Sequence, residues 1–135
     1  MFGFQYDTEI DIWSCGCVIF ELITGYPLFQ GSDEQDQIGK ICEVLGLPPA
    51  NMIVQAPRKD EYFWEVSPGQ YQLRTRHKVC SRQISAMMGE KGAPRELIDI
   101  VEQMVNWEPN MRALPAKLLQ ENIFSQYRQV DVQQK

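Results

Sequence analysis

Histidine is almost missing from this sequence and cysteine is sparse, with one His and four Cys in 135 residues. A structural zinc site wants cysteines paired at short-loop spacing, usually with histidine. Cys15, Cys17, Cys42, Cys80 and the lone His77 do not supply that pattern. Cys15 and Cys17 stand two apart in a stretch that reads as helix, so they face different ways and share neither a metal nor a disulfide. The four are read as reduced structural thiols of an intracellular protein. An unbroken apolar run of the roughly 20 residues that a membrane span needs is also missing. The most apolar stretch is interrupted by Asp11 and Glu21, and the residues before it are acidic where a signal peptide would be basic. The expected compartment is therefore cytoplasmic or nuclear. Positive charge is in deficit, 13 Lys and Arg against 18 Asp and Glu, and the net charge of −5 argues against nucleic acid or an anionic membrane as main partner.

What is present is an ordinary globular composition, 44% apolar and 23% charged, and enough chain for one domain with a core. The chain is organised around residues 6–31. Thr8, followed three residues later by Asp11, reads as a capping box. Gly25 is the residue type favoured just past a helix end. Between them Ile10, Ile12, Trp13, Cys15, Cys17, Val18, Ile19, Phe20, Leu22 and Ile23 are apolar. The spacing predicts one helix from Thr8 to Thr24, and a helix apolar all round is expected to be buried on all sides.

Further along, Tyr26-Pro27-Leu28-Phe29 reads as a turn that tucks apolar side chains back onto the core, with Phe29 as a plug. Ser32 with Gln35 reads as the capping box of a second helix, with Ile38, Ile41, Cys42 and Leu45 inward. Gly46 and Pro48-Pro49 end it. Asp33, Glu34, Asp36, Lys40 and Glu43 make its other face, expected to be solvated or to serve in docking. Residues 50–92 read as a long irregular segment punctuated by Pro57, Pro68, Gly69, Gly89 and Gly92. A short hairpin is predicted around Ser67-Pro68-Gly69-Gln70. Arg74, Arg76, His77, Lys78 and Arg82 form a local basic patch, a solvated loop or an anionic docking surface. A nucleic-acid site there would add stacking aromatics along a groove. Pro94 reads as lying in the first turn of a helix whose stripe is Leu97, Ile100, Val101, Met104 and Val105. A last helix is expected from Pro115, with Leu118, Leu119 and Phe124 inward, before a polar tail from Gln126.

The run Asp11-x-Trp13-Ser14-x-Gly16-Cys17, continuing through Glu21-Leu22, Thr24-Gly25, Pro27-Leu28-Phe29 and Gly31, resembles the long central helix of the protein-kinase C-terminal lobe. Glu34-x-Asp36-Gln37 and Leu45-Gly46-x-Pro48-Pro49 narrow the resemblance to the CMGC group. Tyr62-Phe63, the Pro-Gly turn, Tyr71-x-Leu73, Ser81-Arg82-Gln83-Ile84 and Met88-Gly89 look most like the dual-specificity tyrosine-regulated (DYRK) branch. Met104-x-x-Trp107-x-Pro109-x-x-Arg112 resembles a signature late in the same lobe. The resemblance implies a mainly α fold: late C-lobe helices around a buried central helix, with a long irregular insert. It implies a partial kinase domain over residues 1–127 and a polar tail over 128–135.

Phosphoryl transfer by a kinase needs a glycine-rich loop, a lysine paired with a glutamate, a catalytic-loop aspartate and asparagine, and the D-F-G aspartate for magnesium. None of these motifs is found: His77 is followed by Lys78, and Gly89-x-x-Gly92 has neither the spacing nor the context. A-P-E is not found before Tyr6 either. The expectation is that these parts precede Met1 in a longer parent, which would use ATP and Mg. This chain alone is expected to hold no catalytic, cofactor-binding or metal residue and to bind neither ATP nor Mg. The resemblance carries structural residues only: Asp11, Trp13, Gly16 and Arg112. In the family the aspartate matching Asp11 bonds the catalytic-loop backbone and the arginine matching Arg112 pairs with the A-P-E glutamate, so both are expected to have lost their partners.

Breaking a buried ion pair costs about 3–5 kcal/mol. Each large apolar side chain left bare forfeits about 1.5–3 kcal/mol. A few such losses rival the roughly 5–15 kcal/mol that holds a domain together, so the isolated chain is expected to be marginal, aggregation-prone or partner-dependent. Two functional readings follow. The first is the C-terminal part of a serine/threonine kinase acting on protein substrates. The second is a catalytically inactive C-lobe scaffold, binding proteins through the acidic helix face and the insert at residues 62–82. In the scaffold, Ile12, Trp13, Ile19 and Phe20 would be expected to carry polar replacements, and they do not.

Overall fold

Phe20, Leu28, Trp13 and Trp107 meet in the core of the computed structural model, which describes residues 8–108 and 112. About half of those residues are helical, and the only sheet among them is a two-stranded hairpin. The expected last helix from Pro115, the tail, the 127/128 boundary and the Thr8 side-chain cap lie outside the residues and side chains described.

Helix α1 runs Thr8–Thr24, as its apolar run and Gly25 predict. Gly25 takes φ 85 and donates its N–H to Glu21 O at 2.8 Å, a left-handed stop that glycine adopts at little cost. Burial on all sides does not hold. Ile12, Trp13, Gly16, Phe20 and Thr24 face inward, while Val18 is 54% and Leu22 80% exposed. The physical reason is one-sided packing: the later helices Ile84–Gly89 and Arg95–Met104 and the turn after Gly25 all lie against the same face of α1. Ile12, Trp13, Ile19 and Phe20, the apolar residues weighed against the scaffold reading, are buried or half-buried, and Val18 and Leu22 are bare. Leu28 is buried and Phe29 stacks on Trp13, as the tucked turn predicts.

Helix α2, Glu34–Leu45, starts one residue later than a Ser32 cap would place it. Its cap is Asp33, whose Oδ1 accepts from the Asp36 N–H at 2.7 Å. Asp36 Oδ2 in turn accepts the Ser32 N–H at 2.8 Å. Asp36 thus takes the Ser32 amide that Gln35 was expected to take, and Asp33 caps the Asp36 amide one place beyond the expected Gln35 amide; a carboxylate is the stronger acceptor. Ile38, Ile41 and Cys42 are buried, and Gly46 at φ 77 ends the helix.

The segment expected to be irregular holds three short helices and the hairpin. Helices α3 (Ala50–Gln55) and α4 (Lys59–Tyr62) lead into β1 (Phe63–Ser67) and β2 (Gln70–Leu73). The strands pair antiparallel, Phe63 opposite Leu73 and Trp64 opposite Gln72, across the predicted Pro68-Gly69 turn with Gly69 at φ 75. The register slips between Glu65 and Ser67. Tyr62, Phe63 and Leu73 plug the hairpin into the core, while Trp64 and Val66 stay exposed. Helix α5 spans Ile84–Gly89. Helix α6 is Arg95–Met104, with Pro94 one place before it as the cap residue rather than in its first turn. Its buried stripe includes Ile98, while Leu97 is only half-buried.

The acidic face of α2 is not a free solvated surface. Asp36 Oδ1 meets His77 Nε2 at 2.7 Å, and His77 Nδ1 meets Thr75 Oγ1 at 2.6 Å. Gly39, buried on α2, leaves the room in which the His77 ring sits: a Cβ there would overlap His77 Nδ1, Cε1 and Cγ. Gly39→Ala is expected to expel the ring and cost about 1–3 kcal/mol, as overpacking does. Loss of the folded-state shift of the single histidine's Cε1 proton in NMR checks this; an unmoved resonance contradicts it.

Candidate functional site

Trp13, Gly16 and Arg112, three of the four residues singled out by sequence, converge on one buried node, and Asp11 does not join them. Regular helix geometry puts Trp13 and Gly16 three residues apart on one face of α1. Gly16 packs tightly against the end of α6: an added Cβ would stand 2.8 Å from Val105 Cγ2 and 3.0 Å from Met104 Cβ. Trp13 stacks on Phe29 with ring centroids 5.5 Å apart and lies 6.3 Å from the Trp107 ring.

Arg112 is buried beside this cluster. Its guanidinium carbon lies 5.0 Å from the Trp13 ring centroid, and its Nε donates to Asn106 O at 2.9 Å. The arginine expected to be stranded is thus engaged: an indole face and a turn carbonyl hold it. The turn is closed by the Glu108 N–H on Asn106 Oδ1 at 3.0 Å. Trp107 Nε1 donates to Gly46 O at 2.9 Å, joining this turn to the end of α2. Sequence reasoning missed that bond; the available signal was that a buried indole N–H seeks an acceptor. Asp11 is exposed and has no side-chain hydrogen bond to the described residues.

The node has no activated nucleophile. Cys17, one turn from Trp13, is pushed up to about 11 by burial, with the Arg112 charge acting weakly the other way. It stays a thiol at neutral pH. Among the described residues no group of three or more His, Cys, Asp or Glu is gathered to hold a metal ion. A cavity of about 280 Å³ between α2, α5 and α6 is lined by Gln83, Ser85 and Glu102 among others. A carboxylate repels phosphate, and this volume is below the roughly 300–1,000 Å³ of ligand pockets. The positive-φ glycines Gly25, Gly46, Gly69 and Gly92 stand in four separate turns rather than one phosphate-cradling loop. The lining of this cavity and the scatter of these glycines offer no cradle for a nucleotide phosphate.

A second polar cluster joins α2 to the segment that follows it. Arg58 pairs with Glu34 and Glu61, and the Tyr62 hydroxyl donates to Glu34 Oε2 at 2.9 Å. The Arg58 hydrogen bond, then that of Tyr62, holds the Glu34 carboxyl below its usual range. Burial, then Glu34, pushes Tyr62 up to about 12. The Ser32 N–H, then His77, holds Asp36 low. Of the basic patch, Arg74 lies over the Trp64 ring at 3.5 Å, His77 binds Asp36, and Arg82 donates to Leu28 O at 3.3 Å. Patch and acidic face thus meet at His77 and Asp36, while Arg58, outside the patch, pairs with Glu34.

Because Glu34 and Asp36 titrate lower folded than unfolded, their contribution is complete above the ordinary carboxylate range, near pH 4, and lost as pH falls through the lower folded values. Acidification from about pH 6 to pH 3 is expected to reduce hydrogen-exchange protection at the Cys80 and Arg82 amides, which bond Cys42 O and Glu43 O. Asp36→Asn should flatten that loss; a pH-independent protection in the native protein contradicts it.

The protein kinase domain family matches residues 3–124. The chain belongs to the protein kinase family. It is 35% identical over 134 residues to the human (Homo sapiens) dual specificity tyrosine-phosphorylation-regulated kinase 4, covering 97% of this chain and 25% of that protein. It is 35% identical over 122 residues to serine/threonine-protein kinase ppk5 of Schizosaccharomyces pombe, 87% of this chain and 14% of that one. Over 61 residues it is 54% identical to the probable serine/threonine-protein kinase dyrk2 of Dictyostelium discoideum, 45% of this chain and 7% of that one. These relatives support the DYRK-like reading of the insert. The chain spans about a quarter or less of the kinases it matches and covers only part of a kinase domain. Among the described residues no helix is long and apolar enough to cross a membrane.

Proposed function

We propose that this chain forms the late helices of the C-terminal lobe of a DYRK-like serine/threonine kinase. The whole protein would transfer the γ-phosphate of ATP, with magnesium, to hydroxyls of protein substrates in the cytoplasm or nucleus. In that whole, Trp13, Gly16 and Arg112 are structural: they lock the central helix to α6 and to the turn after it, and Asp11 stands exposed for contact with the remainder of the domain. The observation that carries this reading is the buried Trp13–Arg112 node within a match spanning residues 3–124. The domain is read as running through residue 127, with 128–135 as a polar tail.

The test is phosphate transfer from labelled ATP–magnesium to a serine- and threonine-containing protein substrate. Transfer is expected when these residues sit within a complete kinase domain and none from the 135-residue chain. Transfer by the isolated chain, or an inert complete domain, overturns the reading. The scaffold alternative loses one of its surfaces, because the acidic face of α2 is engaged by Arg58, Tyr62 and His77. Only the exposed hairpin face at Trp64 and Val66 still favours it.

A further inference from the structure

Two cysteines outside the Trp13–Arg112 node stand side by side. Cys42 is fully buried on α2, and Cys80 is exposed on the segment after the hairpin. The Cys80 N–H donates to Cys42 O at 3.1 Å. A bond of that length brings the two Cα atoms to roughly 5–6.5 Å, inside the about 4.4–6.8 Å that a disulfide spans. The Cys80 sulfur turns back onto α2: it lies 3.0 Å from where a Cβ on Gly46 would be. Gly46 is one turn beyond Cys42 and donates its own N–H to the same Cys42 carbonyl at 2.9 Å. The glycine leaves space for the thiol beside the end of the helix. Cys80 is also the one non-glycine residue with positive φ, 56°, among the described residues. That backbone favours glycine or asparagine, and a strained residue of reactive type points to use.

We propose that Cys42 and Cys80 form a peroxide-responsive dithiol, closing to a disulfide that pins the segment after the hairpin to α2. The exposed Cys80 sulfur attacks a hydroperoxide; its S–O bond forms as the O–O bond breaks, giving a sulfenic acid and, from hydrogen peroxide, water. The Cys42 sulfur then attacks the Cys80 sulfur. The S–S bond forms, the S–O bond breaks, and the departing hydroxide leaves as water with the proton that Cys42 gives up. Two thiols lose two electrons and two hydrogens, and one peroxide becomes two waters. Burial, and then the nearness of Cys80, pushes the Cys42 thiol up to about 12, so little thiolate is present at neutral pH and the second step is slow.

The test treats the full chain with hydrogen peroxide, blocks remaining thiols with N-ethylmaleimide, and maps peptides without reduction. The expected result is loss of two labels per molecule, a mass lower by two hydrogens before labelling, and one linked peptide pair containing Cys42 and Cys80. Cys80→Ser, at an exposed position, should abolish the link and restore the Cys42 label on unfolding. Cys42→Ala should leave a Cys80 sulfenic acid that dimedone traps. The proposal is overturned by an equal yield of the link in denaturant, by Cys80 oxidising without any link, or by a disulfide through Cys15 or Cys17 in its place.

Discussion

Trp13→Ala is expected to remove about 3–5 kcal/mol of stability, the range for truncating a buried Trp or Phe. The indole is only 8% exposed, stacks on Phe29, flanks Trp107 and carries the Arg112 guanidinium on its face. Removing it opens a cavity and strips a buried cation of an aromatic partner worth about 0.5–2 kcal/mol. Against the roughly 5–15 kcal/mol of an ordinary domain, the loss is enough to unfold a chain whose central helix already exposes Val18 and Leu22. Urea denaturation followed by far-ultraviolet circular dichroism measures it. A midpoint shift equivalent to less than about 1 kcal/mol would show that the ring is not the keystone described. Trp13→Phe, which keeps an aromatic face, should recover part of the loss.

Gly16→Val should cost about 2–3 kcal/mol, and the comparison with Gly16→Ala separates two opposing effects. Alanine gains about 1 kcal/mol of helix propensity over glycine. Its Cβ, however, would meet Val105 Cγ2 at 2.8 Å, a methyl that can turn, and Met104 Cβ at 3.0 Å, which is fixed to the backbone. Overpacking costs about 1–3 kcal/mol, so alanine should be neutral to about 2 kcal/mol destabilising. Valine adds two methyls, gains less propensity, and must push α6 away from α1. Thermal unfolding of the two variants gives the order glycine, alanine, valine from most to least stable. If valine matches glycine, the helices do not touch at Gly16.

Much of this was legible because long helices announce themselves. The apolar run announced α1 and Gly25 its end, and Gly46 marked the end of α2. Pro68-Gly69 gave the hairpin, since few residues besides glycine take positive φ at low cost. The short helices α3, α4 and α5 were not legible. At four to six residues they complete barely one turn, too short to show a periodic stripe. Their order comes from Ile53, Tyr62, Ile84 and Met88 reaching the core, a tertiary effect. The Asp33 cap was missed because Ser32 and Asp33 are both good caps, and only the fold decides between neighbours.

Sequence resemblance singled out Trp13, Gly16 and Arg112 as structural residues without saying which side chains would meet them. Arg112 was expected to have lost its family partner; that the guanidinium would lie on an indole and bond a turn carbonyl instead could not be read from spacing. The acidic face of α2 is exposed at Asp33 and Glu34 as expected, but its contact with His77 was not legible. Charge alternation on a helix says nothing about a basic segment that returns from 41 residues downstream to meet it, as His77 does with Asp36.

The Trp107–Gly46 hydrogen bond spans 61 residues of chain. On a ribosome adding about 5–20 residues per second, Gly46 would wait roughly 3–12 s for its indole. During that interval the end of α2 must be kept by Gly46 itself and by water. The order of synthesis therefore makes the α2 terminus an early helix and a late anchor, and a nascent chain paused before Trp107 presents that terminus, and the aromatic faces of Trp13 and Phe29, to whatever chaperone is near the exit tunnel.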